Sequence, residues 1–350
     1  MASNRTPFDQ LVDKFSPEVR AAFLEAYDRI KAGVTPAMLK RIVAEIDRGN
    51  IEAAIDLLGI DRAAFGGLDL AIADAFNRGG IAMAADVIVR DPAGTRVALS
   101  FGVRNLIAEA LLRDLSAQLV TRETEQAKQL LRIALTEGLA RGDNPTKTAL
   151  EAVGRVNRAT GKREGGYIGL SGPQERTQAK ARSSLISGDP EGMRDYLQLK
   201  QRDKRFDRMV AKAISEGKAL FRQDVDRIVG RLNDKQLKFR ADVIALNETR
   251  AALAMAKNEG IRQGIESGKI DPRDVTKTWG RTISEHPRSQ HKAMVGQTVP
   301  YDQPFVAPDG TLIPYPHAPG LPARHTVGCN CPVTYKIDYT AALIRRRQLA

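Results

Sequence analysis

The sequence predicts a mostly α protein, α+β overall, in which a long helical body precedes a small, proline-rich C-terminal domain of mixed α/β structure. Three observations carry this expectation. Ten of the 17 prolines follow residue 271 and none falls between Pro190 and Pro272. A proline inside a helix costs about 3 kcal/mol, so the proline-free stretch can be helical and the proline-dense tail cannot. Apolar residues return every three to five positions over long runs before residue 271. Finally, a composition of 42% hydrophobic and 27% charged residues is that of a globular chain, which excludes wholesale disorder and collagen-like repeats.

Taken in order, Ser16-Pro17, Thr35-Pro36 and Asn144-Pro145 each place an oxygen-bearing cap before a proline at the first helical position, predicting helix starts near 17, 36 and 145. Gly33, Gly49, Gly59 and the Gly79-Gly80 pair are expected stops. From Gly102 to Ala140, Leu106, Leu111, Leu115, Leu119, Leu130, Ile133 and Leu139 mark one long helix. The glycine-rich run 164–173 breaks the pattern; it lacks the lysine-serine ending of a phosphate-binding loop and reads as a turn or hairpin. From Pro190 to about Gly230, Phe206, Val210, Ile214, Gly217, Phe221, Val225 and Ile228 predict a long amphipathic helix, with a further helix over 241–264. The division that follows is 1–100, an N-terminal helical region; 101–271, a helical body with a basic face; and 272–350, the C-terminal domain.

The formal net charge is +12, yet residues 1–100 carry 12 basic and 14 acidic side chains, so the excess lies wholly downstream. Segregated positive charge of that size points to an anionic partner, double-stranded DNA through its phosphates before a membrane. Lys200, Arg202, Lys204, Arg205 and Arg208 are the candidate phosphate contacts, and a solvated helix face balanced by Asp203 and Asp207 is the competing reading. No apolar run approaches the roughly 18 residues that span a bilayer, and the first residues lack the layout of a signal peptide.

All four histidines, His286, His291, His317 and His325, and both cysteines, Cys329 and Cys331, lie between residues 286 and 331. On an extended strand the two cysteines face the same side, so both thiolates can share one zinc at about 2.3 Å. His291 and then His325 are the histidines expected to complete the site. Two other readings stand beside it: side chains that merely pack and hydrogen-bond, and a catalytic thiol, which would need a base held by a third group. No recognisable hydrolase or kinase motif is present, and neither helix-turn-helix nor zinc-finger spacing occurs.

Read together, Ala245-Leu246-Asn247-Glu248-Thr249-Arg250, Lys277-Thr278-Trp279, the run from Arg288 through His291 to Gln297, Phe305, Gly310 and Gly328-Cys329-Asn330-Cys331-Pro332 resemble the phage Mu protein F-like head morphogenesis family of tailed phages. The resemblance covers residues 240–335. The pattern departs at His286 and Asn330, where the family usually has arginine, and at Ser284, where an aspartate is common. What the resemblance implies is a minor structural protein of the head interior, associating with the portal protein and with capsid or scaffold proteins in the host cytoplasm, lying near packaged DNA and in some phages leaving with it. The alternative is a zinc-dependent nuclease or hydrolase built on the same His/Cys cluster, distinguished by an open metal position holding a water.

Overall fold

The computed structural model describes residues 6–86, 89–90, 96–97, 101–102, 105–282, 284, 287–340 and 344. The described chain is mostly helical, and its short strands gather into small sheets, the largest of them near the C-terminus, as the sequence predicts. The helices are α1 (Pro7–Gly33), α2 (Pro36–Asp47), α3 (Ile51–Asp56), α4 (Gly66–Asp86), α5 (Leu106–Ala140), α6 (Pro145–Val153), α7 (Gly172–Ser187), α8 (Pro190–Gln198), α9 (Asp207–Glu216), α10 (Arg222–Glu266), α11 (Ser289–Ala293) and α12 (Ala323–Thr326). The strands are β1 (Val89–Arg90), β2 (Arg96–Val97), β3 (Arg155–Val156), β4 (Arg163–Glu164), β5 (Val275–Trp279), β6 (Thr298–Pro300), β7 (Phe305–Val306), β8 (Leu312–Ile313) and β9 (Val333–Ile337). By contacts the chain divides into two compact units: residues 1–20, 69–117 and 243–350 form one, residues 21–68 and 118–242 the other. The division does not run in chain order, because α1, α5 and α10 each contribute to both.

Several helix boundaries differ from expectation for identifiable reasons. The first helix starts at Pro7 rather than Pro17, because Thr6 and Asp9 cap it reciprocally: the Asp9 amide donates to Thr6 Oγ1 and the Thr6 amide to Asp9 Oδ2, both at 3.2 Å. Pro17 then sits inside α1, carried by a buried stripe of Val12, Phe15, Val19, Phe23 and Tyr27. Gly79 and Gly80 do not stop α4. They admit neighbours: a Cβ on Gly79 would lie 2.1 Å from Leu253 Cδ2, and one on Gly80 2.5 Å from Phe101 Cζ. The helix expected over 190–230 is broken twice, after Gln198 and at Gly217, which takes the left-handed conformation with φ 62°. Conversely, the 241–264 helix is the second half of the 45-residue α10. Starts at Pro36 and Pro145 and stops at Gly33, Gly49 and Gly59 match expectation, and α5 spans 106–140.

In the second unit, the glycine-rich run is held by its carbonyls. Lys31 Nζ donates to Gly165 O at 3.0 Å, Asn233 to Gly166 O, and Arg240 Nη1 to Gly169 O at 2.7 Å and Leu170 O at 3.1 Å. Arg240 also pairs with buried Glu123 at 2.8 Å, and Glu123 accepts the Tyr27 hydroxyl at 3.2 Å. A segment whose carbonyls face cations is the reverse of a phosphate loop, which offers N–H groups.

In the first unit, the central strand β5 pairs antiparallel with β6 and β9, with Lys277 opposite Tyr335 and Trp279 opposite Val333. Val275, Lys277 and Trp279 alternate inward. α10 braces this sheet, with Lys257 Nζ donating to Val333 O at 2.8 Å and Tyr335 Oη to Asn258 Oδ1 at 3.0 Å.

Gly166 and Gly161, both at positive φ, give a matched test. A Cβ at Gly166 would lie 2.4 Å from the Gly154 backbone nitrogen, whereas one at Gly161 meets open space. Gly161→Ala should lose only the left-handed penalty of about 1–2 kcal/mol. Gly166→Ala should lose more than about 4 kcal/mol in denaturant unfolding, since backbone must move.

Candidate metal centre

Three short elements and one bare loop supply the candidate site. Trp279 ends β5, His291 lies in the single turn of α11, His325 in that of α12, and the cysteines follow Gly328 on the approach to β9. The cysteine loop is fixed at both ends: the Gly328 amide donates to Asn247 Oδ1 of α10 at 2.8 Å, and the Gly280 amide to Pro332 O at 2.8 Å. Gln297 acts as a surrogate strand, its amide group accepting from Val306 N at 3.2 Å and donating to Val306 O at 3.4 Å.

His291, Cys329 and Cys331 converge, their ligand atoms all within 4.8 Å of one another, and they form a group that can hold a metal ion. His291 Nδ1 lies 3.4 Å from Cys329 Sγ and 3.6 Å from Cys331 Sγ. With metal bonds of 2.1 to 2.3 Å, the edge of a tetrahedral site is about 3.6 Å, so these separations already suit a shared ion. The Cys331 amide donates to Cys329 Sγ at 3.4 Å. All three side chains are buried, with 2%, 2% and 6% of their surface exposed.

His325 is placed differently from expectation. It stands behind His291, its Nδ1 3.1 Å from His291 Nε2 and its Nε2 3.0 Å from Asp309 Oδ2. The order of protons follows from the acceptor at the end: Asp309 accepts from His325 Nε2–H, His325 Nδ1 accepts from His291 Nε2–H, and the lone pair of His291 is left on Nδ1, toward the sulfurs. Both His325 nitrogens are engaged in this chain. Asp309 sits in the β7–β8 turn, where Thr311, then Arg324 and His325, hold its carboxyl well below the usual carboxylate range. The imidazole rings of His291 and His325 lie nearly parallel, 12° apart, and edge to edge along that hydrogen bond with centroids separated by 5.4 Å, and Trp279 meets His291 edge-on at 5.2 Å.

The thiols share their protons unequally. A hydrogen bond from Cys331 is the largest influence lowering Cys329, acting against burial. Cys331 is raised by holding the proton toward Cys329 and by burial, with the Trp279 indole and Arg288 acting the other way. A thiol beside the lone pair of an imidazole oriented by a third group also meets the geometry of a nucleophile. Access decides between the two chemistries: the cavities that touch the cluster measure about 40 and 20 Å3, room for an ion or a water and not for an organic substrate.

Of the residues singled out in the sequence, Cys329, Cys331 and His291 come together, His325 is adjacent, and His286 lies outside the described residues. The five basic residues do not form a helical stripe. They span the turn after α8, a 3₁₀ turn and the start of α9. Arg202 is committed to Asp207 at 3.0 Å and Arg205 to Asp203 at 2.6 Å, which holds the Asp203 carboxyl at about 2, while Lys200, Lys204 and Arg208 are exposed. A separate cavity of about 540 Å3 in the second unit is lined by Arg155, Arg182 and Arg231, but acids answer them: Asp226 is 2.6 Å from Arg182 and Glu164 3.6 Å from Arg231. Asp309 is the residue that sequence reasoning missed; the Pro308-Asp309-Gly310-Thr311 turn signature was its only mark.

Comparison with protein-family models, with curated proteins and with solved structures finds no match for this chain. Among the described residues no helix is long and apolar enough to cross a membrane.

Lys277 offers a pH test of this unit. It is buried, with Nζ over the Tyr301 ring at 5.8 Å and the Phe305 ring at 5.6 Å, and burial lowers its pKa to about 8 despite Asp302. The unfolded lysine keeps its proton to about pH 10.4, so between the two values the unfolded state binds more protons and stability rises with pH. Lys277→Met removes the desolvated cation. It should raise the melting temperature at pH 7 by about 2–4 °C, with the gain shrinking between pH 8 and 10; a gain independent of pH would show the cation to be well solvated.

Proposed function

We propose that this protein is a minor structural protein of a tailed-phage head, associating with the portal protein and with capsid or scaffold proteins during assembly, and that zinc bound by His291, Cys329 and Cys331 holds its C-terminal region. The observation that carries the reading is convergence. Asn247, Trp279, Arg288, His291, Cys329 and Cys331 come from four separate stretches of sequence, and their contacts all serve one buried cluster and the loop that bears it. The burial of that cluster supports a structural rather than hydrolytic role, since a catalytic zinc keeps a position open to substrate.

The experiment is quantification of the protein in purified, nuclease-treated proheads and filled heads, for the wild type and for Cys329→Ser. The wild type should be present in both and carry about one zinc per chain. Cys329→Ser should lose the metal, melt earlier and enter particles poorly, because metal binding to the folded state alone is folding free energy. Absence from both particles overturns the head-protein reading. A metal-dependent cleavage of DNA by the wild type that Cys329→Ser abolishes would establish the hydrolase instead.

Contact with packaged DNA is the second part of the proposal, supported by the net charge of +12 and by exposed Lys200, Lys204 and Arg208. Duplex binding should be independent of sequence and weaken with salt, each phosphate contact contributing about 0.9 to the log–log slope. Alanine at these three positions should flatten that slope, whereas alanine at the ion-paired Arg202 should leave it nearly unchanged. An equal effect from both variants would remove these residues from the interface.

A further inference from the structure

Three protein ligands leave a tetrahedral ion one position short. We infer that His317 fills it through Nε2, closing a Cys2His2 centre, and that His325 and Asp309 are positioning residues rather than ligands. The inference rests on the reading that the cluster binds metal and identifies its fourth donor.

Three observations point to His317. Its side chain is buried, 4% exposed, and Nε2 has no hydrogen-bond partner. A buried imidazole nitrogen without a partner is destabilising unless something fills the gap. His317 and Cys331 line the same cavity of about 40 Å3. Its backbone is in the left-handed region at φ 65°, the sole non-glycine residue so placed among those described. For a residue other than glycine that conformation costs about 1–2 kcal/mol and persists only where the surroundings enforce it. A metal bond from the ring would be such an enforcement.

The rivals for the position are less suited. His325 has committed both nitrogens, to His291 and to Asp309. Asp309 is engaged by Thr311, Arg324 and His325. Asn330 also has an unpartnered buried oxygen, Oδ1, but an ion already held by two thiolates favours imidazole nitrogen over an amide oxygen. Behind the ligands, the Asp309–His325 pair fixes the His291 tautomer, as carboxylates and carbonyls behind ligating histidines generally do.

Cobalt(II) provides the readout, because tetrahedral coordination by sulfur and nitrogen gives strong visible bands that five- or six-coordination does not. Full-length protein stripped by chelator and titrated with cobalt, then competed with zinc, should show an intense tetrahedral spectrum at one equivalent. His317→Asn tolerates positive φ and keeps the fold, yet should weaken zinc by more than about 100-fold and lose band intensity as water enters. His317→Cys should restore affinity and shift the bands to those of a three-sulfur site. His325→Ala should weaken binding by about 10- to 100-fold while keeping the tetrahedral spectrum. A wild type that binds neither metal removes the metal reading itself. A wild type that binds, with His317→Asn indistinguishable from it or with His325→Ala losing the tetrahedral bands, leaves that reading standing and overturns the assignment of His317.

Discussion

The geometry of the C-terminal region depends on the chain of hydrogen bonds that runs from Asp309 through His325 to His291. An imidazole has two nitrogens, and when it is buried neither can be satisfied by bulk water. The Asp309 carboxylate settles the question at one end, and the order of protons then propagates through both rings to present a lone pair to the sulfurs. That ordering explains why a surface hairpin turn and a one-turn helix, neither with much core of its own, are packed where they are. Trp279, itself packed on Phe305, lies edge-on against His291, and such an apolar wall makes these bonds harder to exchange for water.

The second unit solves the same problem with different groups. Its glycine-rich loop brings carbonyl oxygens inward, and Lys31, Asn233 and Arg240 reach across to them from helices. Arg240 in turn requires Glu123, and Glu123 accepts from Tyr27. Burial pushes the Tyr27 hydroxyl well above its usual range, with Glu123 adding to the effect, so it remains a donor across the working pH range. Such pairs add little net stability relative to apolar packing, but removing one partner strands the other.

How much of this was legible in the sequence depends on whether the deciding partner is local. Caps are local: Thr35-Pro36 and Asn144-Pro145 start helices as written. Pro17 misled because Thr6-Pro7 with Asp9 is an equally local and stronger start, and because α1 gains from a buried stripe that no cap reveals. Gly79 and Gly80 misled because their role is to admit Leu253 and Phe101, residues remote in sequence. The cysteine pair and His291 were readable from ligand chemistry and the strand geometry of Cys-x-Cys. The choice between His317 and His325 was not, since four histidines in one proline-rich stretch look alike until the fold shows which ring has a partner on both sides.

Trp279 is the sole tryptophan in the chain, and it lies 5.2 Å from His291 against the cysteine cluster. Its emission is therefore a private signal: excitation at the red edge of the protein band interrogates one end of β5 and nothing in the second unit. Thiolate and imidazole neighbours quench indole, so occupancy and proton order at the cluster are written into the brightness of a single fluorophore. Far-ultraviolet dichroism, by contrast, is dominated by the long helices. The two optical signals thus divide the molecule between them, and loosening of the sheet region is separable from melting of the helices without any label.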